Sequence, residues 1–318
     1  WSDVSSARWS EPLRISTGGY KELKLSTKGF FPHLVRIRVE SQLKTKPKVL
    51  FATFGVIPRS IQTTWPRIRR KILDPLRKYF DVSSYGFNLD TGGCLVDGRP
   101  LYQSSVDTLG LDFREDMLQV ELDEHIKSIA QPNWRQKPGS CWVNGVRQMY
   151  SEMRVARFLK NNPKWDVVLV WGPDFLPLNA VDPQEVMDSW TLEDSVYTSK
   201  ANDSGGYTNG YYLGKRENVM RVLDRWSHLD TLFPPDNVRD YECLVKQIFE
   251  KHSICRVVSN MSFCKVRANC SLWFGPLAVP CVGCYLTSHS RCCTCRPCRR
   301  SRSKKSGRPT LAQVLDAI

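Results

Sequence analysis

Asp174 is the residue whose position in the sequence says most about chemistry. It follows five consecutive apolar residues, Val167–Trp171, and the pair Gly172-Pro173. An apolar run rich in β-branched residues is typical of a strand buried on both faces, and proline ends it because it has no N–H to donate. The pattern predicts that Asp174 lies at the carboxyl end of a central strand, where open α/β sheets bind ligands. Its carboxylate could hold a metal-chelated or sugar-bearing ligand, or cap the next turn.

Hydrophobic patterning predicts the elements that position this carboxylate. An apolar run at residues 48–54 predicts a first strand, and residues 81–87 can form a second strand. Apolar residues at three- and four-residue spacing predict a helix over 61–79 between them, which Pro75 is expected to bend or end. A strand–helix–strand order favours a parallel sheet with a right-handed crossover. We therefore expect the strands at 48–54 and 166–171 to lie side by side and parallel.

The rest of the central region alternates between helical and strand patterns, which favours one α/β domain. The aromatic residues around Asn209-Gly210 predict a hairpin. Helices are predicted at residues 141–159, 216–226 and 239–252, and short strands at residues 196–198 and 255–258.

Composition divides the chain into three regions. The composition of residues 1–46 predicts a basic N-terminal arm. Residues 47–270 carry the α/β pattern, and residues 271–318 are rich in Cys, Arg and Ser. Residues 88–140, rich in Gly, Asp, Pro and Gln, predict an insertion or a loop region. The last region predicts a disordered tail, because its composition cannot bury enough apolar surface to offset the entropy of ordering.

The net charge of +14 is concentrated at the two ends of the chain. Residues 1–48 carry a net charge of +6 and residues 291–308 carry +8, which leaves residues 49–290 nearly neutral. We therefore predict no specific nucleic-acid partner for the core.

Eight of the 12 cysteines lie between residues 264 and 298. The pairs Cys281-x-x-Cys284 and Cys295-x-x-Cys298 are of the kind that holds zinc through four thiolates. Their separation is shorter than in most such sites, and other cysteines lie between them. Zinc binding, disulfides, lipidated thiols and a low-complexity end all stay open as interpretations.

The chain resembles a poorly characterised glycosyltransferase-like family of large algal viruses, microalgae and some fungi. The resemblance covers about residues 46–269 and rests on four segments in the same order: GVIPRS, DVVLVWGPDFLPL, GGYTNGYYLGKRENV and YECLVKQIFEKHSICRV. It implies a GT-A-type nucleotide-diphospho-sugar transferase fold, which is a Rossmann-like, mostly parallel sheet flanked by helices. It also implies two kinds of partner, a nucleotide-sugar donor and a glycan or protein acceptor.

The resemblance implies a donor site at two strand ends. The family's first strand ends in a turn matched here by Gly55, Arg59 and Ser60, and its central strand ends in Arg-Pro-Asp, of which the Asp is matched by Asp174. Gly172 stands where the family usually has arginine. Arg59 would contact phosphate and Asp174 would hold a metal ion or a ribose hydroxyl; a surface arginine is the alternative for Arg59.

The later glycine-rich motif supplies the other implied residues. Gly206 and Asn209 fall on its donor-binding part, although the family usually has aspartate at the position of Asn209. Glu242 matches an acidic residue of the late helix and would act as the base for an acceptor hydroxyl. A tight turn at Asn209 and a solvated helix acid at Glu242 are the alternatives.

Metal dependence is open. Transfer from a nucleotide sugar requires neutralisation of the diphosphate charge by Mg²⁺ or Mn²⁺, or by Arg and Lys. The chain contains no Asp-x-Asp sequence, so the paired carboxylates usual in such folds are missing.

We conclude that the sequence favours a glycosyltransferase that moves a sugar from a nucleotide-diphosphate donor to a glycan or protein acceptor. The alternative is a non-catalytic, degenerate scaffold whose Cys-rich basic tail binds zinc or polyanions. A secretory compartment such as the Golgi lumen and the cytoplasm both stay open.

The C-terminal region is predicted to be dispensable for the fold, because apolar periodicity ends near Asn269. A chain truncated after Asn269 should melt cooperatively within about 3 °C of the full-length protein, a shift that corresponds to roughly 1 kcal/mol for a domain of this size. Differential scanning calorimetry measures this. Loss of the transition, or melting of the whole protein by a zinc chelator, would show that the tail belongs to the core.

Overall fold

The computed structural model describes residues 46–59, 61–93, 95–96, 99–100, 104–129, 140–200, 206–232, 241–266 and 272–273. Most of the expected arm and nearly all of the tail lie outside these ranges. Within them, no helix combines the length and the apolar character that crossing a bilayer requires.

Strands in the described ranges are short and mostly buried. In chain order they are β1 (Lys48–Gly55), β2 (Asp81–Asp90), β3 (Leu95–Val96), β4 (Arg99–Pro100), β5 (Phe113–Leu118), β6 (Val167–Trp171), β7 (Phe175–Pro177), β8 (Ser195–Thr198), β9 (Tyr211–Lys215), β10 (Cys255–Val258), β11 (Phe263–Val266) and β12 (Leu272–Trp273).

Helices alternate with these strands. They are α1 (Ile61–Ile68), α2 (Asp74–Arg77), α3 (Ser104–Asp107), α4 (Gln119–Ile129), α5 (Ser140–Asn161), α6 (Pro183–Thr191), α7 (Arg216–Leu223), α8 (Leu229–Leu232) and α9 (Tyr241–Lys251). A π-helical segment, Arg69–Leu73, joins α1 to α2, and the 3₁₀ turns Ile57–Arg59 and Asp224–His228 follow β1 and α7.

Seven strands form the main sheet in the order β5-β2-β1-β6-β9-β8-β10. Every neighbouring pair is parallel except those that include β9, which runs antiparallel to both β6 and β8. This is a mostly parallel α/β sheet flanked by helices, consistent with a GT-A-like fold. The predicted mostly parallel α/β sheet flanked by helices is confirmed.

The predicted pairing of β1 with β6 is also confirmed. Val49 lies opposite Val167 and Ala52 opposite Val170, in parallel register. Both strands are buried on both faces: alternate residues join a cluster with α5 on one side of the sheet and a cluster with α1 on the other. This two-sided burial is the physical reason for their continuous apolar runs.

The helix that follows β1 continues through both of its prolines. Pro75 has no N–H, so the carbonyl of Lys71, four residues earlier, lacks its usual helical donor. The backbone N–H of Val181 donates to that carbonyl over 2.8 Å. The bond from a neighbouring segment explains why Pro75 does not end the helix.

The prediction of a hairpin around Asn209-Gly210 is wrong, because β8 and β9 pair across the longer connection 199–210. Two other predicted regions contain paired strands. The 88–140 region, predicted to be an insertion or a loop region, supplies β5, which pairs in parallel with β2 as an edge strand of the main sheet. Beyond residue 270, where the tail is predicted to begin, β12 pairs with β11.

Replacing Leu169 by alanine should cost about 2–5 kcal/mol of unfolding free energy, because Leu169 is fully buried in β6 and its loss leaves a cavity. Leu118→Ala is the matched control, since Leu118 is 42% exposed at the end of the edge strand β5; its cost should stay near 0.5 kcal/mol. Urea unfolding measures both. Equal losses would contradict the central position of β6.

Candidate functional site

The connections of the main sheet reverse direction between β1 and β6. After β1 the chain adds β2 and β5 on one side, whereas β9, β8 and β10 lie on the other side of β6. In open α/β sheets, ligands bind in the crevice outside the carboxyl ends of the two strands at such a switch point. The residues that follow β1 and β6 are therefore the primary candidates for a site.

The turn after β1 is fixed by its backbone and by the neighbouring strand. Gly55 has a φ of +96°, a conformation that favours glycine. The Ile57 N–H donates to the Asn88 side-chain oxygen over 3.2 Å, and the Arg59 N–H donates to the Val56 carbonyl. Arg59 is thus held on a rigid turn beside the end of β2.

The turn after β6 is held from three directions. The Gly172 N–H donates to the Gly210 carbonyl (2.9 Å), the Thr64 hydroxyl donates to the Pro173 carbonyl (2.7 Å), and the Val266 N–H donates to the Asp174 carbonyl (2.7 Å). The Asp174 side chain is half-buried, and its carboxylate has no hydrogen bond or ion pair with any described residue. Its backbone is held firmly, and its carboxylate has open acceptor capacity.

The segment 206–210 runs beside this turn. The Tyr207 N–H donates to the Glu242 carbonyl over 2.9 Å, and the Thr208 hydroxyl donates to the Ser199 carbonyl over 2.5 Å. A Cβ on Gly206 would lie 2.0 Å from that Glu242 carbonyl, so only glycine permits this approach. These contacts replace the predicted hairpin turn and carry Asn209 to the edge of the sheet.

A fully buried ion pair lies next to Asn209, and the sequence reasoning missed it. Glu152 of α5 and Arg225 of the Asp224–His228 turn are both 0% exposed and form an ion pair. A signal for Glu152 was present, since it lies at helical spacing from Met149 and Ala156 on the apolar side of α5. A charge on an apolar helix face calls for a buried partner.

The pair is part of a hydrogen-bond network. Gln148 donates to Glu152 Oε1 over 3.0 Å, and Arg225 Nη2 donates both to Glu152 and to Asn209 Oδ1, the latter over 2.8 Å. Tyr212 donates its hydroxyl proton to the same Asn209 oxygen over 3.4 Å. Arg225 Nε and Nη1 have no hydrogen-bond partner among the described residues.

Electrostatics keeps this network polarised. Burial is the largest single effect and lowers the pKa of Arg225, but the attraction and hydrogen bond of Glu152, together with the effects of Tyr212 and Glu242, outweigh it. The pKa of the guanidinium is therefore raised, and Arg225 stays charged. Burial raises the pKa of the Tyr212 hydroxyl, which keeps it protonated as a donor. The negative charge of Glu242 raises the pKa of both groups further.

The structure brings most of the predicted site residues to one edge of the sheet. Gly55, Arg59 and Asp174 follow β1 and β6, while Gly206 and Asn209 lie on the adjoining segment. Glu242 is half-buried in the first turn of α9, and its backbone carbonyl accepts a hydrogen bond from that segment. The roles assigned to these residues remain predictions.

Other predicted ligands fall outside the described residues. These are Ser60, whose surroundings are not described, and the four tail cysteines Cys281, Cys284, Cys295 and Cys298. In the described part of the chain, no group of three or more His, Cys, Asp and Glu side chains is arranged to hold a metal ion.

Two cavities lie away from the switch point. One, of about 570 Å³, lies between α5 and α7 and is lined by residues such as Arg157, Met220 and His228. The other, of about 200 Å³, is lined by residues such as Trp65 and Arg77. Neither is lined by the residues that follow β1 or β6, so the candidate site rests on the topology of the sheet.

Comparison with known proteins adds a distant neighbour. No protein-family profile and no curated protein matches the chain. Among solved structures, the chain is similar to the glycosyltransferase GlyE of Streptococcus pneumoniae TIGR4, with 15% identity and a TM-score of 0.35 over 68% of this chain and 45% of that one. The chain thus spans less than half of GlyE. A TM-score this low assigns neither an activity nor the narrower algal, viral and fungal family.

Glu152→Gln should lower the free energy of unfolding by about 3–5 kcal/mol, because it leaves the buried Arg225 charge without a counterion. The matched control is Glu250→Gln on α9, whose carboxylate is 62% exposed and 3.8 Å from Lys246; it should cost less than about 1 kcal/mol. Chemical denaturation compares the two. If Glu152→Gln cost no more than its control, the pair would have no structural role.

Proposed function

We propose that this protein is a glycosyltransferase that transfers a sugar from a nucleoside-diphosphate donor to a glycan or protein acceptor. The observation that carries the proposal is the switch point between β1 and β6. Two rigid turns with Arg59 and Asp174 follow these strands at the sheet edge where α/β folds bind nucleotides.

The chemistry of transfer makes demands that this edge can meet. The departing diphosphate carries negative charge that must be neutralised. Arg59, on the turn after β1, would contact a phosphate oxygen. Asp174, which has no hydrogen bond or ion pair within the described residues, would hold Mn²⁺ or Mg²⁺, since such ions often take one or two carboxylates together with substrate phosphates. The bound ion would supply further neutralisation of the leaving group.

The acceptor side of the reaction falls to Glu242. It lies in the first turn of α9, and its carbonyl fixes the segment that carries Asn209. In the proposal its carboxylate takes the proton of the acceptor hydroxyl as the new glycosidic bond forms.

A second candidate is a non-catalytic scaffold whose Cys-rich tail binds zinc or polyanions. The observation that favours it is the scarcity of charge at the switch point, where Gly172 replaces the arginine of the resembling family and no Asp-x-Asp is present. Such a protein would bind no nucleotide sugar at the sheet edge.

Asp174→Ala should abolish both donor binding and Mn²⁺ dependence, because it removes the carboxylate placed at the switch point. Full-length protein is tested against a panel of UDP-, GDP-, CDP- and ADP-sugars with and without Mn²⁺. A ligand present at about 100 times its Kd stabilises the native state by about 2.7 kcal/mol and raises the Tm. Release of the nucleoside phosphate is measured in parallel.

The matched control is Asp81→Ala, because Asp81 is exposed at the start of β2, on the opposite edge of the same sheet. It should keep the wild-type Tm shift and turnover. If no sugar nucleotide raises the Tm of the wild type, the scaffold reading replaces the transferase. If the two variants behave alike, Asp174 is not part of the site.

A further inference from the structure

The orientation of the Asn209 side chain is set by two donors. Asn209 is 7% exposed, and its Oδ1 accepts hydrogen bonds from Arg225 Nη2 and from the Tyr212 hydroxyl. The Gly210 N–H donates to the Tyr212 oxygen over 3.2 Å, which leaves the hydroxyl proton for Asn209. Exchanging the amide oxygen and nitrogen would set two N–H groups against two donors, so only one orientation is compatible with the network.

The consequence is that Asn209 presents only a donor. A free amide offers both an acceptor and a donor, but here the acceptor is already used inside the network. The Nδ2 group has no hydrogen-bond acceptor among the described residues. The next residue, Gly210, accepts a hydrogen bond from Gly172 of the turn that carries Asp174. The backbone next to Asn209 therefore contacts the turn that carries Asp174.

A group that can only donate hydrogen bonds, such as this amide nitrogen, suits a ligand atom that can only accept them. Phosphate oxygens are such atoms, whereas sugar hydroxyls both donate and accept. The positive charge of Arg225 is balanced by Glu152, and the negative charge of Glu242 acts on it as well. Asn209 consequently contributes a neutral donor.

We propose that the Asn209 amide donates a hydrogen bond to a diphosphate oxygen of the bound nucleotide, and that Arg225 and Glu152 are positioning residues that hold this amide in its donor orientation. This inference rests on the proposed function. It assigns the atom that binds, the substrate group that it binds, and the buried pair that orients it.

Asn209→Asp is the decisive variant because it is isosteric. Aspartate keeps an oxygen for Arg225 and Tyr212, so the Tm without ligand should stay close to that of the wild type. The amide nitrogen becomes a carboxylate oxygen, which repels a phosphate. We expect the Kd of this variant for the nucleoside diphosphate that binds the wild type best, chosen from UDP, GDP, CDP and ADP with Mn²⁺, to rise at least about tenfold.

Arg225→Lys tests the positioning role and decides the case if Asn209→Asp does not fold. Lysine keeps a positive charge for Glu152 but lacks the planar fork that reaches Asn209. Its Kd should rise several-fold, and the double variant should lose little beyond Asn209→Asp, because both changes act on one contact. Arg221→Lys on α7, 48% exposed, is the matched control and should bind like the wild type.

Isothermal titration calorimetry on the full-length chain separates the outcomes. Wild-type binding with a weakened Asn209→Asp variant supports the inference. Wild-type binding with an unchanged Asn209→Asp variant overturns the inference and leaves the proposed function standing. Absence of binding to the wild type overturns the proposed function, and the inference with it. If Asn209→Asp does not fold, unchanged binding by Arg225→Lys overturns the inference.

Discussion

The parallel pairing of β1 with β6 is the interaction on which the rest of the structure depends. Both strands are buried on both faces, so their backbone polar groups must find partners within the sheet. Pairing them in register ends both strands at the same edge, and the chain continues from β1 to β2 on one flank of the pair and from β6 to the strands on the other flank. The crevice at this switch point is set by the order of the strands and does not depend on which side chains line it.

A second constraint is the close approach of the segment 206–210 to α9. Gly206 permits the backbone contact with Glu242, and the Gly210 carbonyl then binds the turn after β6. Through these contacts a helix on one face of the sheet and a turn at its edge become parts of one rigid arrangement. A side chain at Gly206 would separate them, which is why a glycine in this irregular segment has structural meaning.

The buried pair of Glu152 and Arg225 is better understood as a geometric device than as a source of stability. Removing two charges from water costs about as much as their attraction returns, so a buried ion pair contributes little net free energy. What it supplies is direction, since the guanidinium that Glu152 holds also fixes the Asn209 amide. An apolar pair of the same volume would fill the core but would leave that amide free to rotate.

The sequence alone determined the class of sheet, the neighbouring positions of β1 and β6, and the delivery of Asp174 to a strand end, because these follow from local periodicity and from proline and glycine. It did not reveal β5 as an edge strand, the continuation of the helix through Pro75, or the pairing of Glu152 with Arg225. Each of these depends on a partner distant in the chain. β5 pairs with β2, and the Lys71 carbonyl accepts a hydrogen bond from Val181. Glu152 and Arg225 are 73 residues apart. Only the tertiary structure decided them, because hydrogen-bond and charge partners are chosen by packing and not by local pattern.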